Sequence, residues 1–158
     1  MTLNELTARI VGWAQDRNLI EGSTVEKQYL KLGEELGETA EAMQIGDEDG
    51  VRDGIGDMYV VLTIMAVQLG SSILRPTPAD GIGTGCRCTP GAFGLIGGAL
   101  ARGKTVTGHI WDTVSLLRDD AEGWGFSLEE CVAAAWDEIK DRKGRMVDGV
   151  FIKEGESN

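Results

Sequence analysis

Four glutamates, Glu34, Glu35, Glu38 and Glu41, crowd one short stretch of the chain, and Asp53 and Asp57 follow soon after. An α-helix turns by about 100° per residue, so side chains three and four apart share a face. Glu34, Glu38 and Glu41 therefore stack, with Glu35 beside Glu38, and Asp53 and Asp57 form a second same-face pair. Like charges at that spacing cost roughly a few tenths of a kcal/mol per pair, more where the face is partly buried. Lys27 and Lys31 can neutralise only the N-terminal end, with Lys31 reaching Glu34 or Glu35. Glu38 and Glu41 have no basic residue three or four positions away. Either these acids form a solvated face or they hold a cation. Oxygen-only ligation favours Mg²⁺ or Mn²⁺, the ions that suit phosphate substrates. An antiparallel pair of helices can bring Glu38 and Asp57 to opposite sides of one metal ion.

A second concentration of charge has the opposite sign. Lys140, Arg142, Lys143 and Arg145, followed by Lys153, lie near the end of an otherwise acidic chain. One reading is a set of cations meeting the C-terminal dipole of a helix. The other is a group of phosphate donors facing the acids, with Arg offering paired N–H groups and Lys a mobile point charge. Other chemistry is less well marked. Cys86 and Cys88 make a C-x-C pair that, even with Cys131 and His109, lacks the usual second zinc pair. Gly81, Gly83 and Gly85 are not followed by the Gly-Lys-Ser/Thr ending of a phosphate loop. His109 is the sole histidine and has no serine partner at a readable spacing.

The elements that must position these residues read as helices. Thr2 with Glu5 forms a capping box opening a helix to about Arg17. Ser23 with Glu26 suggests a second box, and the helix after it runs to about Gln44. Val25, Tyr29, Leu32, Leu36, Ala40 and Met43 are its expected core stripe. The loop 45–49 is short enough to make the next helix, about 50–69, an antiparallel neighbour. From Met58 that helix is apolar almost all round, as a central helix should be. Residues 71–91 look irregular and hold all three prolines. Helices follow at about 94–102 and 106–122, and Ser127 with Glu130 opens a last one. The basic arm, 140–158, reads as a turn with a short hairpin or extended end. The expectation is an all-α bundle of four to five main helices in a single domain, with very little β structure.

At 158 residues and a net charge of −11, the chain can bury a sizeable core. It lacks the basic surface that direct nucleic-acid binding requires. Its most apolar stretch is too short to span a bilayer, and the N-terminus has no basic leader. Three cysteines make no secreted framework. A soluble, cytoplasmic protein is expected.

KLGEELGETAEAM, Lys31–Met43, contains E-E-x-x-E as Glu34, Glu35 and Glu38, and VRDGIGDMYVVLTIMAVQLG follows with Asp57 at the second motif's aspartate. This pair resembles the MazG-like, all-α nucleoside triphosphate pyrophosphohydrolases. The segment Ala134–Glu154 is similar to the closing part of small MazG-like proteins, many of them phage-encoded. In that family the second motif is usually E-x-x-D, and here its first position is Gly54; Asp53 is the nearest substitute. The resemblance implies cleavage between the α and β phosphates, giving a monophosphate and pyrophosphate. It implies Mg²⁺, with Mn²⁺ able to substitute, on Glu34, Glu38 and Asp57. Glu35 would act as ligand or proton acceptor beside Glu38, and Asp53 as an added ligand. Lys140, Arg142, Lys143 and Arg145 would meet substrate phosphates. A purine dNTP such as dGTP, a homodimer or homotetramer, and the host cytoplasm for a phage-encoded member are further implications. The alternatives are a nucleotide-binding protein without turnover and a helical structural adaptor.

Overall fold

A computed structural model describes residues 1–75 and 86–155. Among these, six helices account for most of the chain: α1 (Leu3–Asp16), α2 (Val25–Ile45), α3 (Glu48–Gln68), α4 (Thr89–Leu100), α5 (Thr107–Gly123) and α6 (Leu128–Ile139). Two short strands, β1 (Gly144–Val147) and β2 (Val150–Lys153), form an antiparallel hairpin with Gly144 opposite Lys153 and Val147 opposite Val150. The protein is thus mostly helical, and its six helices fall on segments expected to be helical. Among the described residues no helix is long and apolar enough to cross a membrane.

Capping chemistry sets several of the helix starts. Thr2 with Glu5 and Ser127 with Glu130 form complete capping boxes, each hydroxyl accepting from the third residue's N–H while that residue's carboxylate accepts from the cap. The expected box at Ser23 is a correction. Thr24 caps α2 by accepting from Lys27 N–H, and Ser23 instead accepts from the buried Gln28 amide. Asp47 caps α3, whose first residue, Glu48, comes two before the expected start. Gly46, at φ 72°, closes α2 in the left-handed region that glycine enters without strain. The irregular segment is also shorter at its far end than expected. Thr89, Pro90 and Gly91 belong to the first turn of α4, where proline's missing N–H has no helical partner to lose. Residues 76–85, with Pro76, Pro78, Gly81, Gly83 and Gly85, lie outside the described part, as do 156–158.

Central α3 is buried along most of its length from Val51 to Ala66 and packs against α1, α2, α5 and α6. Two glycines let it do so. A side chain at Gly54 would enter the Thr39 side chain of α2, and one at Gly56 would enter the Cys131 carbonyl and come within 2.8 Å of Ala135 Cβ on α6. The α2–α3 pair is antiparallel, Thr39 lying against Gly54 and Ala42 against Gly50.

This close crossing rotates α2 away from its expected orientation. Its buried line is Gln28, Leu32, Glu35, Thr39 and Ala42. Ala40 is exposed, while Val25, Tyr29, Leu36 and Met43 only edge the core. The seam selects small residues, and the larger apolar ones are covered from the side. Tyr29 stacks on Phe93 of α4 at 4.4 Å between ring centroids and donates to its carbonyl.

Candidate functional site

The rotation of α2 turns its acidic edge toward α3. Between the two helices lies a groove of about 260 Å³ whose acids are Glu35, Glu38, Glu41, Asp47, Asp53 and Asp57. Glu35 is the most enclosed, only 5% exposed, and is held by Lys31 Nζ at 2.7 Å. The same ammonium reaches Glu34 at 3.0 Å, but Glu34 is 56% exposed at its side chain and does not line the groove. Of the expected ligands, Glu35, Glu38, Asp53 and Asp57 are brought together, and Glu34 is not. Its position one residue before Glu35 places it about 100° around the helix from the buried line.

The groove is electrostatically loaded. Burial, and then the charges of Glu35, Asp53 and Glu138, push the Asp57 carboxyl up to about 7, against a smaller opposing pull from Arg142. Asp53 is raised as well, first by burial, then by the charge of Glu138 and by a hydrogen bond shared with it. Glu138, on α6, is the site residue that sequence reasoning missed. It lies three residues beyond Ala135 and seven beyond Cys131, on the stripe that packs against Gly56 of α3. A carboxylate continuing a core stripe was the available signal.

Basic residues divide between two places. Arg142 forms an ion pair with Glu138 and bears on both Asp53 and Asp57. Its carbonyl accepts from Arg17 Nε at 2.8 Å, and the Lys140 carbonyl accepts from Arg17 Nη2 at 3.3 Å, tying the end of α1 to the end of α6. Lys140 itself pairs with Asp137 at 2.7 Å. Lys143 and Arg145 line a separate groove of about 430 Å³ beside the hairpin, with Lys153 and Glu154. Of the four cations, Arg142 is the one that bears on the acids within this chain, among the described residues. The chain leaves α6 after Ile139 and turns into the hairpin, which carries the later cations away.

Gly54 is explained by packing. The glutamate expected there in an E-x-x-D motif would run into Thr39, whose hydroxyl donates to the Glu35 carbonyl at 2.6 Å. Among the described residues no three His, Cys, Asp or Glu side chains are gathered closely enough to hold a metal ion as they stand. The donor chemistry nevertheless fits a hard cation. Glu35, Glu38, Asp53, Asp57 and Glu138 offer only oxygens, and the neighbouring carboxylate charges that add to burial in raising Asp57 are ones a cation would offset. Cys131 lies buried in the core, its thiol pushed up to about 11 chiefly by burial. Together with Cys86, Cys88 and His109 it forms no such cluster.

The chain is 46% identical over 66 residues to an uncharacterised 18.2 kDa protein from the rep-hol intergenic region of Haemophilus phage HP1 (strain HP1c1). The match covers 42% of this chain and 40% of the phage protein, so the chain spans well under half of that curated relative. No family model matches the chain, and no solved structure matches it.

Proposed function

We propose that the protein is a divalent-metal-dependent nucleoside triphosphate pyrophosphohydrolase of the MazG-like kind. Water is added across the α–β phosphoanhydride, giving a nucleoside monophosphate and pyrophosphate. The observation that carries this reading is the carboxylate groove between α2 and α3, where Glu35, Asp53 and Asp57 crowd together with Glu138 and one arginine close by. Glu38, Asp53, Asp57 and Glu138 would hold Mg²⁺ or Mn²⁺, which when bound polarises phosphate oxygens and acidifies water. Glu35, paired with Lys31, would accept a proton from water. Arg142, freed from Glu138, would donate N–H groups to a phosphate. A deoxynucleotide such as dGTP is the favoured substrate, and a bacterial host's cytoplasm the setting if the gene is phage-borne. A homodimer or homotetramer is the proposed assembly.

The sealed Gly54 position favours a second reading, nucleotide binding without turnover. Incubating the protein with each dNTP and Mg²⁺ or Mn²⁺ and resolving the products separates the two. Monophosphate with pyrophosphate is expected. Metal-dependent binding of a dNTP without any product would establish the second reading, and release of orthophosphate with a diphosphate would overturn the assigned bond.

A further inference from the structure

Just before α4, two thiols converge on one backbone position. Cys86 and Cys88 flank Arg87 just before α4, with Cys88 as the cap residue. Both are unbonded, Cys88 exposed and Cys86 half-buried. Cys86 Sγ donates to the Cys88 carbonyl at 3.3 Å, which folds its side chain back toward its neighbour. A Cβ built on Gly91 would stand 2.6 Å from Cys86 Sγ and 3.2 Å from Cys88 Sγ. Both sulfurs thus occupy the space that any other residue at position 91 would fill. Cys131, the remaining cysteine, is buried on α6 and takes no part.

We propose that Cys86 and Cys88 are a reversible dithiol–disulfide site, oxidised by low-molecular-weight disulfides. One cysteine, as thiolate, attacks a sulfur of the small disulfide. That S–S bond breaks, and one small thiol leaves with the electron pair and takes up a proton. The second cysteine loses its proton, attacks the protein sulfur of the mixed disulfide and expels the second small thiol. The pair is oxidised by two electrons and the small disulfide is reduced to two thiols. Closure over so short a loop strains the bond, which places it among labile, exchangeable disulfides rather than structural ones. The gap at Gly91 lets the sulfurs meet without displacing the first turn of α4.

The test uses the full-length protein in buffers of graded oxidised and reduced glutathione, quenched with acid and labelled with a maleimide after denaturation. The wild type, with three cysteines, is expected to pass from three labels to one without accumulating a glutathione adduct. Trypsin cleavage at Arg87 should then yield fragments that stay joined until reductant is added. Cys86→Ser and Cys88→Ser should each retain the adduct, having no second thiol to resolve it. Three labels under all conditions, adducts in the wild type as stable as in the single variants, or a disulfide to Cys131 would overturn the proposal.

Discussion

Asp57 carries the sharpest consequence of the groove. Its carboxyl stands at about 7 in the folded protein against 3.8 in a free chain, so the fold binds its proton more tightly than the unfolded state does. Below pH 3.8 both states are protonated and this group imposes no penalty. As pH rises, the unfolded chain ionises first and the fold loses stability, the loss being complete above about 7. Asp57→Asn should therefore raise metal-free stability at pH 8 by about 1–2 kcal/mol, less than the full shift implies because the groove admits solvent. Thermal melts at pH 5 and pH 8 check this: the gain should shrink at the lower pH. In the same variant, turnover and any Mn²⁺-induced rise in Tm should disappear. Gly54→Glu, which completes the E-x-x-D pattern on paper, should instead destabilise by about 1–3 kcal/mol through the clash with Thr39. Denaturant titration reads that loss, and a gain in metal affinity would contradict the packing account.

The helix starts show where local chemistry is decisive and where it is not. Thr2 and Ser127 were identified correctly because a hydroxyl and a carboxylate three residues apart satisfy each other's neighbours within one turn. Ser23 with Glu26 has the same spelling, yet Thr24 caps the helix. Ser23 is drawn to the Gln28 side chain, a choice settled by burial rather than by spacing. The same limit governs α2. Its apolar periodicity pointed to Tyr29, Leu36 and Ala40, whereas the close approach of Gly54 to Thr39 put Glu35 on the buried line. Asp53 and Asp57 could be placed on one face from spacing alone. Glu138 could not be placed opposite them, because that depends on how α6 meets α3 at Gly56. Gly56→Val should force those helices apart, destabilising by about 1–3 kcal/mol. It should also free the Asp53–Glu138 contact, so hydrogen exchange should quicken in both α3 and α6.

The whole chain carries a net charge of −11, and self-repulsion at that level opposes a compact state. Monovalent salt should raise Tm modestly by screening. Mg²⁺ or Mn²⁺ at matched ionic strength should raise it further, since ions that bind only the fold add stability by mass action. An identical response to both kinds of salt would remove the support for a cation in the groove. The stitch between Arg17 and the carbonyls of Lys140 and Arg142 joins residues far apart in the chain. It also bears on biosynthesis. The first helix, and the face of α3 that receives Cys131 and Ala135, have to wait for α6 to leave the ribosome. During translation this apolar surface stays uncovered, so the nascent chain should engage chaperones until α6 has emerged and packed.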